Sequence, residues 1–263
     1  MTGALPVAGA PEYPAPVTYG TIVANTREPS VISRLVGGSG TAEVKHVLNG
    51  MHVPAAVAIV EHVRLVPGAS CGLHLHAERE EIYYILSGAA VMTVNGDKIT
   101  VGPGDLITCP LGTVHGIGVP PEAAEPMSFF VVEALPGAGP PKMPPLRVSM
   151  PAELDGCAGY RGGGHAQETR VATVRLADYL TGPLRGFTLI EIPPGDVLGP
   201  ARLPAGIAEI LFVTAGQAKI TAAGTTAEGG YGLTVAAPLG AEMTIANTSG
   251  ESSLTVISTQ AAG

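Results

Sequence analysis

The stretch GASCGLHLHAEREEIYYILSG, residues 68–88, decides the fold. His74 and His76 lie two residues apart, so on a β-strand both imidazoles leave the same face. Glu81 follows after four intervening residues, and Gly88 closes the run seven positions later. A second piece, GDLITCPLGTVH over residues 104–115, supplies one more imidazole at His115. Three histidines and a carboxylate form a nitrogen and oxygen donor set. Such a set suits a first-row divalent ion such as Fe, Zn, Ni or Cu, with Mn a further choice.

Together the two pieces resemble the paired motifs of the cupin family. Gly68, His74, His76, Glu81 and Gly88 match the first motif, and Gly104, Pro110, Gly112 and His115 match the second. One departure is visible: where the second motif usually ends in Asn, this chain has Val119. That Asn is not usually a metal ligand, so the metal set survives. The resemblance implies a jelly-roll barrel with His74, His76, Glu81 and His115 around one ion in its mouth. Within the EREE run, Glu80 fits the shorter spacing of some cupins, but Glu81 is better placed relative to Gly88. Glu78 and Glu80 are expected in solvent.

Composition agrees with an all-β chain. Of 263 residues, 36 are Gly and 24 are Pro, while only 14% are charged, so turns are frequent and helix-favouring charges few. A net charge of −8 argues against nucleic acid or an anionic membrane as partner. Three cysteines cannot all pair, and no disulfide framework is visible. The first residues, MTGALPVAGAPEYPAP, lack a basic segment followed by a long apolar run, so no signal peptide is expected. No uncharged stretch reaches the roughly 18 residues of a membrane helix. A cytoplasmic protein is the expectation.

Residues 1–40 read as a Pro-rich arm with leading strands, and 41–137 as the metal-binding barrel. Val91–Val94 and Lys98–Val101 form a hairpin around Asn95-Gly96-Asp97, a favoured tight turn. Residues 138–168 are Pro- and Gly-rich and read as a linker. Their RGGGH piece lacks the strand and the Lys-Ser/Thr helix start of a phosphate-binding loop. Residues 169–263 then repeat the first domain. Gly195, Glu209, Gly216, Gly232, Pro238, Gly240 and Asn247 echo Gly68, Glu81, Gly88, Gly104, Pro110, Gly112 and Val119. The offset is 127 at the first pair (195 − 68) and 128 at the others, such as 240 − 112. Met243 stands at the place of His115, and Ala201-Arg202-Leu203 replaces the histidine pair. The whole resembles a bicupin whose second barrel has lost its metal.

Parity places further residues. If Glu81 points inward, so do Tyr83 and Ile85, while Ile82, Tyr84 and Leu86 face outward. Tyr83 would then enter the cavity, where the ion's charge lowers its pKa and suits it to act as a general base. A Glu-x-Tyr arrangement also looks like that of the metal-dependent dimethylsulfoniopropionate lyases. The same text occurs elsewhere as packing. Cys109 shares a face with Asp105 and Ile107 and is expected to line the pocket, or simply to be a small buried residue. Cys71 has opposite parity to His74 and should face away. Arg64 would anchor an anionic substrate if it points inward, and is otherwise an exposed ion-pairing residue. The histidines His46, His52, His62 and His165 read as surface groups.

Four protein ligands leave one or two positions open on a five- or six-coordinate ion, as a catalytic site needs. Three function classes follow from the cupin resemblance. The favoured one is an Fe(II) dioxygenase, with Mn, Ni and Zn as alternative ions. Non-oxidative isomerase, lyase or decarboxylase chemistry with Tyr83 as base is the second, and a small-molecule binding module the third. No dinucleotide signature or nucleophilic triad is present. The low aromatic content, 4% with no Trp, points to a small polar or carboxylated metabolite as substrate. The resemblance also implies a homodimer.

Overall fold

The computed structural model describes residues 20–156 and 169–263. The Pro-rich arm up to residue 19, Cys157 and the RGGGH piece lie outside the described residues.

The described chain opens with β1 (Ile22–Ala24), β2 (Ser30–Ser33), β3 (Thr41–Asn49) and β4 (Val57–Leu65). The motif region holds β5 (Ser70–Leu75), β6 (Glu80–Ser87), β7 (Ala90–Val94) and β8 (Asp97–Val101). Next come β9 (Asp105–Cys109), β10 (Val114–Gly118), β11 (Met127–Ala134), β12 (Arg147–Ser149) and a short helix, α1 (Met150–Gly156). The second half contains β13 (Arg170–Val174), β14 (Leu184–Ile192), β15 (Val197–Arg202), β16 (Ile207–Ala215) and β17 (Ala218–Ala222). It closes with β18 (Thr225–Gly229), β19 (Thr234–Ala237), β20 (Glu242–Asn247) and β21 (Leu254–Ala262).

Each half is a barrel of two facing antiparallel sheets. In the first, the order β12-β9-β6-β11-β4-β3-β2 faces β5-β10-β7-β8. In the second, β1-β19-β16-β21-β14-β13 faces β15-β20-β17-β18. The sequence repeat is a repeat of pairing: Glu81 opposes Cys109 and Glu209 opposes Ala237, each pair 128 positions apart. Each barrel's β9 or β19 edge is closed by a strand from outside its own repeat. Arg147 opposes Ile107, while Val23, from before the first barrel, opposes Val235 of the second. The Pro/Gly-rich stretch thus contributes a strand to the first barrel, and the leading strand β1 belongs to the second.

Three apolar clusters follow from this. One fills the first barrel, around Tyr83, Ile85, Met92, Ile107 and Phe129. A second fills the other barrel, around Ile192, Leu211, Ile220 and Val256. The third lies between the barrels, where the outer faces of the two large sheets meet: Ile82, Tyr84, Phe130, Phe187, Ile210 and Phe212 belong to it. The ring of Phe130 sits 4.8 Å from that of Phe212, and that of Tyr84 sits 5.2 Å from Phe187. His62, read from sequence as a surface group, packs at the same seam against Phe212 and Tyr231. Parity along β6 therefore holds, but its outward face meets the second barrel instead of water. This explains the unbroken apolar run IYYIL, since a strand buried on both faces shows no alternation. The hairpin at Asn95-Gly96 is a two-residue turn with φ of 50° and 95°, as its Asn-Gly text demands.

Candidate metal centre

β5 carries His74 and leads directly into His76, and β10 carries His115, so that all three imidazoles meet at the open end of the first barrel. His115 opposes His74 directly, whereas Ile117 opposes Cys71, so β5 holds one extra residue between those rungs. This bulge includes Gly72, where a Cβ would overlap the Val36 carbonyl oxygen of the turn between β2 and β3. It also reverses parity. Cys71 joins the barrel interior, contrary to the outward position that simple alternation gives it.

The metal-facing atoms converge. His74 Nε2 lies 3.1 Å from His76 Nε2 and 3.1 Å from His115 Nε2. Glu81 Oε1 is 2.8 Å from His115 Nε2 and 3.5 Å from His76 Nε2. For His74 the opposite nitrogen fixes which one is bare. His74 Nδ1 donates to the Gly72 carbonyl at 2.8 Å, and His115 Nδ1 lies 2.8 Å from Cys109 Sγ. With Nδ1 protonated, the His74 Nε2 presents its lone pair inward. Glu81 Oε1 is buried and receives no hydrogen bond. A cation placed among such gathered ring nitrogens and a carboxylate oxygen would be stabilised by all of them. The three histidines thus form a group able to hold a metal ion, with Glu81 beside them.

Burial sets the charge states. Desolvation lowers His115 to about 4 and also lowers His76, which keeps both rings neutral as ligation requires. The Glu81 carboxyl is pushed up to about 7 by burial, against the lowering effect of His76. A bound cation reverses that shift.

Of the other expected site residues, Tyr83 and Cys109 face the barrel interior, as parity predicts, and Arg64 does not. Tyr83 is inward but buried behind Glu81, to which its phenol is hydrogen-bonded, and it does not line the open cavity. Burial and the Glu81 charge raise its pKa well above the ordinary value, whereas the lowering expected from sequence depends on the ion's own charge. Cys109 backs His115 from the side away from the other imidazoles, and its buried thiol is raised well above its ordinary value. Arg64 lies between Val63 and Leu65, which face the barrel interior, so it leaves the opposite face of the sheet, where it pairs with its cross-strand neighbour Glu43 at 3.0 Å. Glu80, expected in solvent, is fully buried.

Sequence reading missed two cavity residues. A cavity of about 380 Å³ opens over His74 and His76, and its wall includes Arg79 and Glu133. Arg79 Nη1 donates to Glu133 Oε2 at 2.7 Å. Glu133 opposes Glu81 across β6 and β11, a register that no local pattern reveals. In the second barrel, Glu209 keeps the Glu81 place, but Ala237 stands opposite it and Met243 takes the place of His115. Its carboxylate accepts the Ser258 hydroxyl instead. Asn247, at the place of Val119, spends its amide on the carbonyls of Ile192, Pro193 and Ser252, which is a turn-holding role.

Known proteins resemble the chain both in part and over nearly its whole length. Residues 61–133 match the family model described as a cupin domain. An oxalate-binding protein of Thermotoga maritima is 36% identical over 89 residues, which is 34% of this chain and 74% of that protein. Over most of the chain, the likeness is to two-barrel structures. A single-residue mutant of Bacillus subtilis oxalate decarboxylase OxdC superposes with a TM-score of 0.65 at 16% identity, covering 94% of this chain and 80% of the other. Protein YlbA of E. coli gives 0.68 at 11% identity, covering 95% of this chain and 94% of the other. With its paired motifs, repeated barrel and converging histidines, the chain belongs to the cupin superfamily, as a bicupin.

Proposed function

We propose that this bicupin binds a small carboxylate at a metal ion in the mouth of its first barrel and transforms it without consuming dioxygen. Oxalate is the first candidate. The observation that carries the reading is the convergence of three Nε2 atoms and an unbonded carboxylate oxygen beneath an open cavity. The identity to the oxalate-binding protein supports the substrate class.

His74, His76, His115 and Glu81 hold the ion. A divalent ion here supplies a Lewis acid for a bound carboxylate, with one or two positions free for it. Mn(II) is the ion to load first, since Mn(II) centres are described in the Bacillus oxalate decarboxylase; Fe(II), Ni(II) and Zn(II) follow.

The remaining roles fall to the chain's own residues. Arg79, at the cavity wall, offers paired donors to a carboxylate, which competes with Glu133 for them. Glu133 is the cavity carboxylate outside the ligand set that faces Arg79, and so is the group placed to take or return a proton. Tyr83 holds the Glu81 carboxylate in orientation from behind. The apolar cluster beneath, with Phe129 and Ile85, keeps water from the buried side of the centre.

The test is calorimetric titration of oxalate into Mn(II)-loaded protein, with formate assay and an oxygen electrode alongside. Metal-dependent binding with product formed in the absence of oxygen uptake supports the reading. A failure to bind any small carboxylate with every metal sinks it. The open coordination positions favour one second reading, the Fe(II) dioxygenase, for which oxygen uptake by Fe(II)-loaded protein with a carboxylate substrate is the mark. Tight binding without turnover would make the protein a carboxylate-binding module.

A further inference from the structure

Glu80 stands beside Glu81 on β6, yet its side chain leaves the opposite face and ends at the second barrel. Its Oε2 accepts hydrogen bonds from Thr181 N at 2.9 Å and from Thr181 Oγ1 at 3.0 Å, and its Oε1 accepts the Gly182 N–H. A fully buried carboxylate is tolerated only where donors replace water, and here all three donors come from across the barrel boundary. The receiving turn is built tightly around it. Thr181 Oγ1 accepts the Gly137 N–H at 3.1 Å, and Arg185 donates to the Gly182 carbonyl. A Cβ at Gly182 would overlap both the Leu135 carbonyl and the Glu80 carboxylate, so only glycine fits.

The place of this junction on β6 gives it consequence. Residue 80 pairs with Ala134 of β11 on one side, whereas the ladder to β9 begins only at Glu81 with Cys109. Ahead of it runs the irregular segment 77–79 that lines the cavity. A strand end paired on one side alone opens readily, and Glu81 is the next residue in. The Glu80 carboxylate ties that end down.

We infer that Glu80 is a positioning residue for Glu81, and that the second barrel, through Thr181 and Gly182, holds the metal-binding strand in place. The inference rests on the metal-binding reading given above. It gives a barrel without ligands a task in the chemistry of the other: alternating strand geometry converts a fixed residue 80 into a fixed direction for the Glu81 carboxylate.

The experiment uses the full chain as wild type, Glu80→Gln, Thr181→Val and Tyr231→Phe. Each is titrated with Co(II), whose visible absorption reports ligand geometry, and melted without metal. Tyr231→Phe removes another hydrogen bond between the barrels, that of Tyr231 to His62, and serves as the purely structural control. Glu80→Gln is expected to bind Co(II) roughly 10-fold more weakly or worse, with an altered absorption spectrum. Thr181→Val, which removes one of three bonds, is expected to weaken binding roughly 3-fold, with a smaller change of spectrum in the same direction. Tyr231→Phe should lower the melting midpoint and leave affinity and spectrum at wild-type values. If Glu80→Gln and Thr181→Val lower the midpoint but keep wild-type affinity and spectrum, Glu80 is structural only and the inference is overturned. Should Glu80→Gln fail to fold, Thr181→Val decides by the same criteria. Wild-type protein that binds no Co(II) overturns the metal reading itself, a result distinct from the preceding ones.

Discussion

Glu81 Oε1 faces His115 Nε2 at 2.8 Å, and the His115 Nδ1 on the far side of the ring is turned to Cys109. A bare ring nitrogen and a carboxylate oxygen at that distance repel each other, and a shared proton or a cation relieves the repulsion. This single relationship brings strands β6 and β10 together at one group of residues able to hold an ion, and several expectations grow from it.

Removing any one of these donors leaves the others unable to hold a divalent ion tightly. His76→Ala and Glu81→Gln are each expected to drop metal content from one equivalent to well below a tenth after dialysis. Elemental analysis of the purified variants reads this, and stoichiometric metal in His76→Ala would sink the assignment.

Metal affinity should depend on pH with a known sign. Burial holds the metal-free Glu81 carboxyl at about 7, so below that pH a proton must leave before the ion binds. Affinity is expected to fall about tenfold per unit from pH 7 to pH 5. Glu81→Gln removes that proton and should flatten the slope of whatever weak binding remains. Titration with a coloured competing chelator gives both curves.

Tyr83 is hydrogen-bonded to Glu81 and shielded from the cavity, so Tyr83→Phe is an orientation defect. We expect roughly 10-fold weaker metal binding, with turnover recovered at saturating metal. Complete loss of turnover in a fully metallated variant would restore Tyr83 to the role of base.

The barrels are coupled through an aromatic seam. Phe212 lies against Phe130 and is stacked with His62 at 6.2 Å between ring centroids. Phe212→Ala should destabilise the fold by about 3–5 kcal/mol, measured by denaturant unfolding. Phe212→Leu should recover most of it.

His62 gives that seam a pH dependence. Desolvation lowers its pKa from 6.5 to about 4, and its ring nitrogen lies 2.8 Å from the Tyr231 hydroxyl. The unfolded chain therefore binds a proton that the folded one refuses. Stability from this residue is complete above pH 6.5 and is lost as the pH falls towards 4, by about 1–2 kcal/mol after allowance for partial exposure. His62→Gln should unfold with a shallower acid dependence over that window, and an unchanged slope would exclude His62 as its source.

Much of this protein was determined by its sequence alone. The spacing of His74, His76, Glu81 and His115 is legible in two short sequence motifs, and alternation along β6 correctly divides Tyr83 and Ile85 from Ile82 and Tyr84. The repeat at 128 residues gives the second barrel, because equal spacing produces equal pairing. Tertiary structure decided the rest. An extra residue at Gly72 turned Cys71 inward, since a bulge breaks the period on which parity depends. Register across β6 and β11 brought Glu133 to the cavity, where Arg79 meets it from the irregular segment ahead of β6, and neither carries a local signal. The outer face of β6 met a second barrel in place of solvent. That meeting buried Glu80 on Thr181 and Gly182, about a hundred residues away in the chain, where only the packing of two sheets could supply its donors.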